Sequence, residues 1–436
     1  MKSYDVVVLG AGPAGLAAAI TSNENGSKTL VIERENKPGG ILKQCIHDGF
    51  GVVRFGQRLS GPEYAYKFIK EAKEKNVEMS FSSFVTKIKK SGEKFELELV
   101  NSMGMEKVKT KSIVLATGCR ERTAKQVFIH GSRPAGVYTA GTAQYFTNIM
   151  GYLPGKECAV LGSGDIGLIM ARRLTLEGAK VIGVYEAKPE PSGLKRNLIQ
   201  CLDDYSIPLY LSHTITKIFG DERVEAVEIS EVDKGMKPIK GTEKIVKCDT
   251  VILSVGLIPE NEVAESLGLK MDPSTKGPLV DQDLMSVNMG GVFSCGNSLH
   301  VNDLVDYVSE SGEIAGLGAS RYTPVRKTHL IPLNKGKNLL YLVPQMINVK
   351  SKNKKVILYF RVKSTTKNAE FMAKLGNREI LKRRYLYLRP AEMKRIVFDL
   401  PSDLSDDSEL SFEVWEVNRE RDHMHSVSQR MRVKNR

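Results

Sequence analysis

The first fifteen residues constrain what this chain can fold into more than any other stretch. Tyr4-Asp5-Val6-Val7-Val8-Leu9 is an apolar, β-branched run that leads straight into Gly10-Ala11-Gly12-Pro13-Ala14-Gly15. A small-residue helix pattern follows from Leu16 to about Ser22. Thr29-Leu30-Val31-Ile32 then predicts a second strand, and it ends in Glu33. Strand, glycine turn, helix, strand and acid is the order of a dinucleotide-binding βαβ unit. Gly10 permits the tight turn, Gly12 lets a pyrophosphate approach the backbone, and Gly15 lets helix and strand pack closely. The helix start offers N–H groups to the phosphates, and Glu33 can accept hydrogen bonds from a ribose. Glycines that served packing alone would not account for an acid at that distance.

The scheme then repeats. Glu157-Cys158-Ala159-Val160-Leu161 runs into Gly162-Ser163-Gly164-Asp165-Ile166-Gly167. A helix pattern over 168–177 closes at Gly178, and a strand over 181–186 ends in Glu186. The buried runs at 112–118 and 249–256 also mirror each other, each ending in a small-residue turn. A repeat on this scale is far more specific than either copy alone. A third strand and turn occupies 291–297. Asn302 or Asp303 is expected to N-cap a helix over 304–322, whose Gly312, Ala315, Gly316, Gly318 and Ala319 allow close packing. Between the landmarks, Ser60 and Glu63 form a capping box for a helix ending near Asn76, and 77–110 reads as a strand and a small meander.

At 436 residues, two to three domains are expected. No apolar run approaches the ~20 residues needed to span a bilayer. The first strand starts almost at Met1, which leaves no room for a signal peptide and implies a cytoplasmic protein. The six cysteines, Cys45, Cys119, Cys158, Cys201, Cys248 and Cys295, are scattered, so no metal site and no dithiol motif is expected. The net charge of +13 is uneven: residues 330–436 hold 23 Lys and Arg against 12 Asp and Glu. That segment also changes pattern, with strand-like runs at 339–343, 356–362, 385–388, 395–400 and 410–417. It reads as a separate, basic, antiparallel β domain, a sandwich, with a polar extended tail after Val417. A basic module can meet an acidic protein or anionic lipid, or be a solvated face. Membrane contact has no other support in the sequence. Nucleic acid is not expected, because no aromatic RNA-binding motif or helix-turn-helix pattern is present.

Two glycine fingerprints, two small-residue strand ends and the late Gly296-Asn297 turn resemble the two-dinucleotide-binding-domain flavoproteins, a superfamily that includes the pyridine-nucleotide disulfide oxidoreductases. The similarity covers about residues 1–325. The stretches 45–51, 59–65, 116–122 and 295–306 are similar to a narrower branch: FAD/NAD subunits of multi-component flavoenzymes such as hydrogen cyanide synthase, proline and opine dehydrogenases, and partners of a bacterial glycerol-3-phosphate dehydrogenase. The resemblance implies an α/β fold of two Rossmann-like domains, the second inserted in the first. A discontinuous FAD domain is expected at 1–125 and 285–328, an NAD(P)H domain at 126–284, and the β domain at 329–436. It assigns to FAD residues Gly10, Gly12, Pro13, Ala14, Gly15, Glu33, Arg34, Gly40, Val85, Ala116, Thr117, Gly118, Gly296, Asn297, Asp303 and Leu304. It assigns to the nicotinamide dinucleotide Gly162, Gly164, Asp165, Ile166, Gly167, Glu186 and Gly256.

The chain departs from the disulfide reductases in having no paired redox cysteine, and in ending the late turn with Asn297 where the superfamily has Asp. Glu186 would repel a 2′-phosphate, so NADH is favoured over NADPH, with Lys188 as the counter-argument. Cys45 is either a thiolate beside the flavin or a small buried hydrophobe. His47 is either a proton relay or a hydrogen-bonded loop residue. Arg120 and Arg122 either hold pyrophosphate or pin the turn to the domain interface. The expected activity is hydride transfer between NADH and FAD, with electrons passing to or from a non-disulfide partner. Two architectures remain open: one part of a larger dehydrogenase, docked to a second flavoprotein or electron carrier, or a stand-alone NADH oxidase or diaphorase using O₂ or a quinone. An oligomer is expected.

Overall fold

The computed structural model describes residues 1–324 and 328–417; the expected tail after Val417 lies outside them. Seven α-helices occur among these residues: α1 (Pro13–Glu24), α2 (Gly61–Glu74), α3 (Ala140–Tyr145), α4 (Asp165–Leu176), α5 (Lys195–Cys201), α6 (Glu262–Ser266) and α7 (Val305–Ser320). The architecture is mixed α/β, with two Rossmann-like sheets.

In the first sheet Glu78–Ser80, Thr29–Ile32, Lys2–Leu9 and Gly104–Leu115 run parallel, and the meander strands Lys94–Asn101 and Phe84–Ser91 continue it antiparallel. Val292–Ser294 joins parallel to Gly104–Leu115. The register opposes Leu9 to both Ile32 and Leu115, and Leu115 to Ser294. Four strand ends therefore lie level and deliver Gly10, Glu33, Ala116 and Cys295 to one edge. The meander and the buried run at 112–118, separate in the sequence reading, share one twelve-residue strand. Its first part pairs with the meander and its last part with Val292–Ser294.

The second sheet is wholly parallel: Val137–Thr139, Thr250–Leu253, Glu157–Leu161, Lys180–Glu186 and Leu209–Leu211. Leu161 opposes both Tyr185 and Leu253, so Gly162, Glu186 and Ser254 share its edge in the same way. The chain leaves the first unit and returns to it through a pair of antiparallel strands, Cys119–Glu121 against Leu257–Pro259. Ala264 and Leu269 lie within the range expected for the second unit, yet both pack into the core of the first sheet.

Helices α1 and α7 pack backbone to backbone. A Cβ at Gly312 would stand 2.2 Å from the Ala14 carbonyl oxygen, and one at Gly316 would stand 2.3 Å from that of Ala18. The small-residue stripe read in the sequence is thus the contact itself.

The C-terminal part is a sandwich. One sheet is ordered Met346–Asn348, Leu330–Lys335, Leu410–Glu416, Thr366–Leu375, Arg378–Leu388, and the other Leu339–Val343, Lys355–Val362, Lys394–Asp399. The pairing is antiparallel except between Leu330–Lys335 and Leu410–Glu416. Phe360, Phe371, Phe398 and Phe412 fill its core. Tyr341, Val343, Tyr359 and Met393 belong instead to the core around α1 and α7. Arg395 and Tyr359 bind Glu310 on α7, and Gln282 donates to the Asn348 carbonyl at 3.0 Å. No helix of the described residues is long and apolar enough to cross a membrane.

His300 is 1% exposed, with Tyr341 and Tyr359 as ring neighbours at this junction. Burial, helped by the Arg361 guanidinium, pushes its pKa down to about 3. The unfolded chain then binds more protons than the native one below about pH 6.5, so stability falls as pH drops through that value, by up to about 1.4 kcal/mol per pH unit. His300→Phe is expected to flatten the profile between pH 7 and 5 in chemical denaturation. Gly316→Ala should lower stability by about 1–3 kcal/mol in the same measurement, because the new Cβ meets backbone rather than a movable side chain.

Candidate functional site

The level strand ends create two copies of one device. In the first, Gly10 has φ +103°, and a Cβ there would lie 2.4 Å from the Ala116 carbonyl oxygen. Gly15 and Gly296 are also packing positions: a Cβ would come 1.8 Å from Gly10 O and 2.8 Å from Ala14 Cβ respectively. Gly12 differs, because its nearest neighbour would be Gly40 Cα at 4.0 Å. The cradle over Gly12 is therefore open on the side that a phosphate would take. Gly12 N-caps α1 with no side chain on the helix start, and Pro13 opens the helix. The amide of Ala11 donates to Glu33 Oε2 at 2.7 Å and that of Glu35 donates to Oε1 at 2.9 Å. The acid is thus fixed at the strand edge, with lone pairs left for a ribose.

The second copy matches it. The amide and hydroxyl of Ser163 donate to Glu186 Oε2 at 3.0 and 2.6 Å, and the Lys188 amide donates to Oε1 at 3.0 Å. A Cβ at Gly167 would lie 2.3 Å from Gly162 O, whereas one at Gly164 would meet nothing within 4 Å. Asp165 Oδ1 accepts from the Leu194 amide and Asn197 Nδ2 at 2.9 and 2.7 Å, which closes the 190s loop over the start of α4. Lys188 Nζ reaches Ser192 Oγ at 3.2 Å.

Both copies open into one cleft of about 3060 Å³. That is several times an ordinary small-ligand pocket and leaves room for two dinucleotides. Gly10, Gly12, Pro13, Ala14, Glu33, Arg34, Gly40, Val85, Ala116, Thr117, Gly118, Asn297, Asp303 and Leu304 line it, as do Gly162, Gly164, Asp165, Ile166, Glu186 and Gly256. Gly15, Gly167 and Gly296 stand behind the wall as packing residues. The open cradles and fixed acids fit FAD at the first edge and a nicotinamide dinucleotide at the second.

Other expected residues have different partners. Neither Asn302 nor Asp303 caps α7: Leu304 holds the N-cap position, with no side-chain cap. Asp303 is drawn away by Arg361 and by the Met393 amide, which donates to Oδ2 at 2.6 Å. Asn302 donates to Asn297 Oδ1 through its amide at 3.0 Å. Arg120 pairs with Glu262 at 2.6 Å, which pins the crossing strands; the Arg122 backbone amide donates to the Gly256 carbonyl at 3.0 Å, and its side chain lines the cleft. Cys45 lines the cleft, but burial pushes its thiol up to about 12, so it stays protonated at neutral pH. Burial pushes the pKa of the His47 ring down, and the ring contacts the Asp48 carbonyl at 3.2 Å. All six cysteines are free, and no metal-ligand cluster occurs among the described residues.

Sequence reasoning missed Gln44, Gln144 and Asn148. Gln44 Nε2 donates to the Gly141 carbonyl at 2.8 Å, and Asn148 Nδ2 donates to the Gln44 carbonyl at 2.8 Å, joining the two units across the cleft. No local pattern marks these amides. Cys119 was also missed; its Sγ accepts from Asn297 Nδ2 at 3.5 Å.

The family described as pyridine nucleotide-disulphide oxidoreductase matches residues 4–312. The chain is 26% identical over 341 residues to a thioredoxin reductase of Listeria innocua, covering 76% of this chain and 97% of that one. It is 25% identical over 343 residues to one of the subunits of the opine oxidase of Rhizobium meliloti, covering 73% of this chain and 68% of that one. Its fold resembles the crystal structure of T. acidophilum thioredoxin reductase, with a TM-score of 0.60, 22% identity, and coverage of 73% and 98%.

Gly164→Val tests the second cradle. Since its Cβ enters open space, stability should change by less than about 0.5 kcal/mol. Binding of a nicotinamide dinucleotide, followed by calorimetry, should weaken at least about ten-fold, because the side chain fills the phosphate approach.

Proposed function

The chain belongs to the pyridine nucleotide-disulphide oxidoreductase family, and from that premise we propose that it passes hydride between NADH and FAD and exchanges electrons with a non-disulfide partner, as a subunit of a larger dehydrogenase of the glycerol-3-phosphate or amino-acid type. It is a flavin-dependent NAD(P)H oxidoreductase. Hydride transfer is the chemistry that the two bound cofactors supply; the protein supplies placement.

The observation that carries the reading is the state of the cysteines. A disulfide reductase needs two sulfurs within bonding distance. Here every cysteine is single and free, and the one thiol in the expected flavin loop, Cys45, is held protonated. Glu186 supports NADH: its carboxylate, fixed by Ser163 and Lys188, puts negative charge at the strand end where a 2′-phosphate would sit. Two facts support a role within a complex. One relative is named as a subunit of an opine oxidase, and the family match stops before the basic β sandwich begins.

Anaerobic titration of the FAD-loaded chain tests the nucleotide. NADH should bleach the flavin at least about ten-fold more efficiently than NADPH, and Glu186→Gln should narrow that ratio. Equal efficiency would overturn the assignment. Co-purification from the source cell with a second flavoprotein or electron-carrier chain supports the role within a complex. Rapid NADH consumption with a simple quinone by the isolated chain would point to a self-sufficient diaphorase.

A further inference from the structure

The cleft has an arm that neither glycine turn accounts for. Beyond the start of α7 its wall belongs to the C-terminal sandwich, through Arg361, Lys367, Tyr387, Arg389 and Lys394. Lys367 and Tyr387 are direct cross-strand partners, so both stand on one face at the end of their hairpin. The Arg389 guanidinium lies 5.6 Å from the centre of the Tyr387 ring.

The charges on this wall do not cancel. Arg361 is neutralised by Asp303. Lys394 takes Glu392 at 2.8 Å, and Arg389 reaches the same carboxylate only at 3.7 Å. The Lys367 side chain makes no ion pair or hydrogen bond among the described residues, although its backbone pairs in the ladder. Apart from the Arg361–Asp303 pair, this wall sets three cations, Lys367, Arg389 and Lys394, against the one carboxylate of Glu392, a net positive charge beside the Tyr387 ring among the described residues. Such a wall concentrates anions, and the ring gives a planar molecule a surface to lie on.

We propose that this arm is a binding site for a small anionic molecule, the electron donor or acceptor of the flavin, recognised by Lys367 and Arg389. The proposal rests on the functional reading above and narrows its unnamed partner to an anion. It also gives the sandwich a part in the site: Asn302, Asp303 and Leu304, the residues around the start of α7, line the same cleft as the sandwich residues and the first glycine turn.

The test uses the FAD-loaded full chain and two probes. Ferrocyanide, which does not react with oxidised flavin, measures binding alone by calorimetry at low ionic strength. The wild type should bind it, and the double variant Lys367→Glu/Arg389→Glu should bind about ten-fold more weakly. Turnover then uses acceptors of opposite charge. Each NADH gives up two electrons and one proton; two ferricyanide ions take one electron each, and NAD⁺ and H⁺ are released. The double variant should lose about ten-fold in kcat/KM for ferricyanide and gain for hexaammineruthenium(III), and added salt should shrink both effects. Equal change toward the two acceptors, no change toward either, or ferrocyanide binding that ignores the substitutions would overturn the proposal. Bleaching by NADH alone should be the same in both proteins. If NADH fails to bleach even the wild type, the nucleotide reading falls, while calorimetry still decides the anion site.

Discussion

The packing of α7 on α1 depends on the absence of two Cβ atoms. Gly312 and Gly316 let α7 lie on the backbone of α1 at Ala14 and Ala18. That contact sets the position of both helices that open toward the first edge of the cleft. α1 carries the glycine turn at its start, and α7 begins beside Asn297, Asn302 and Asp303. A wider spacing would part the turn from the third landmark, and neither could then face the same ligand.

The second organising device is the fixed acid. Glu33 and Glu186 each accept two backbone amides, one from the glycine turn and one from the residue two further on. An isolated carboxylate at a sheet edge would have several rotamers. Held this way, it offers a ribose a single geometry and costs less to order when the ligand arrives. The two copies use the same bonds on different sheets, so the repeat extends from the sequence to the hydrogen-bond pattern.

Most of the site was legible in the sequence because its parts are local. Glycine spacing, strand ends and acids fall within about thirty residues in each unit. What could not be read depends on distant partners. Asp303 looked like a helix cap because Arg361 and Met393 lie 58 and 90 residues away. The strand Thr366–Leu375 was missed because Lys, Asn, Ala, Glu and Met dominate it; pairing on both sides supplies what intrinsic preference does not. The return of the chain into the first unit is carried by the short helix α6 and by Leu269, too brief a signal to separate from the second unit. The sandwich itself was foreseen from its strand pattern, its charge and its lack of helices.

The junction between α7 and the sandwich has a consequence for dissection. The family match ends at residue 312, inside α7, and invites a cut there. Yet Tyr341, Val343, Tyr359 and Met393 complete the apolar layer that α1 and α7 begin, and Arg395 and Arg361 neutralise acids on or beside that helix. A shortened chain would carry an open hydrophobic face and stranded carboxylates where the full chain has an interior. The sandwich shares an apolar layer with the first unit, and a cut at the boundary that family resemblance draws would divide that layer.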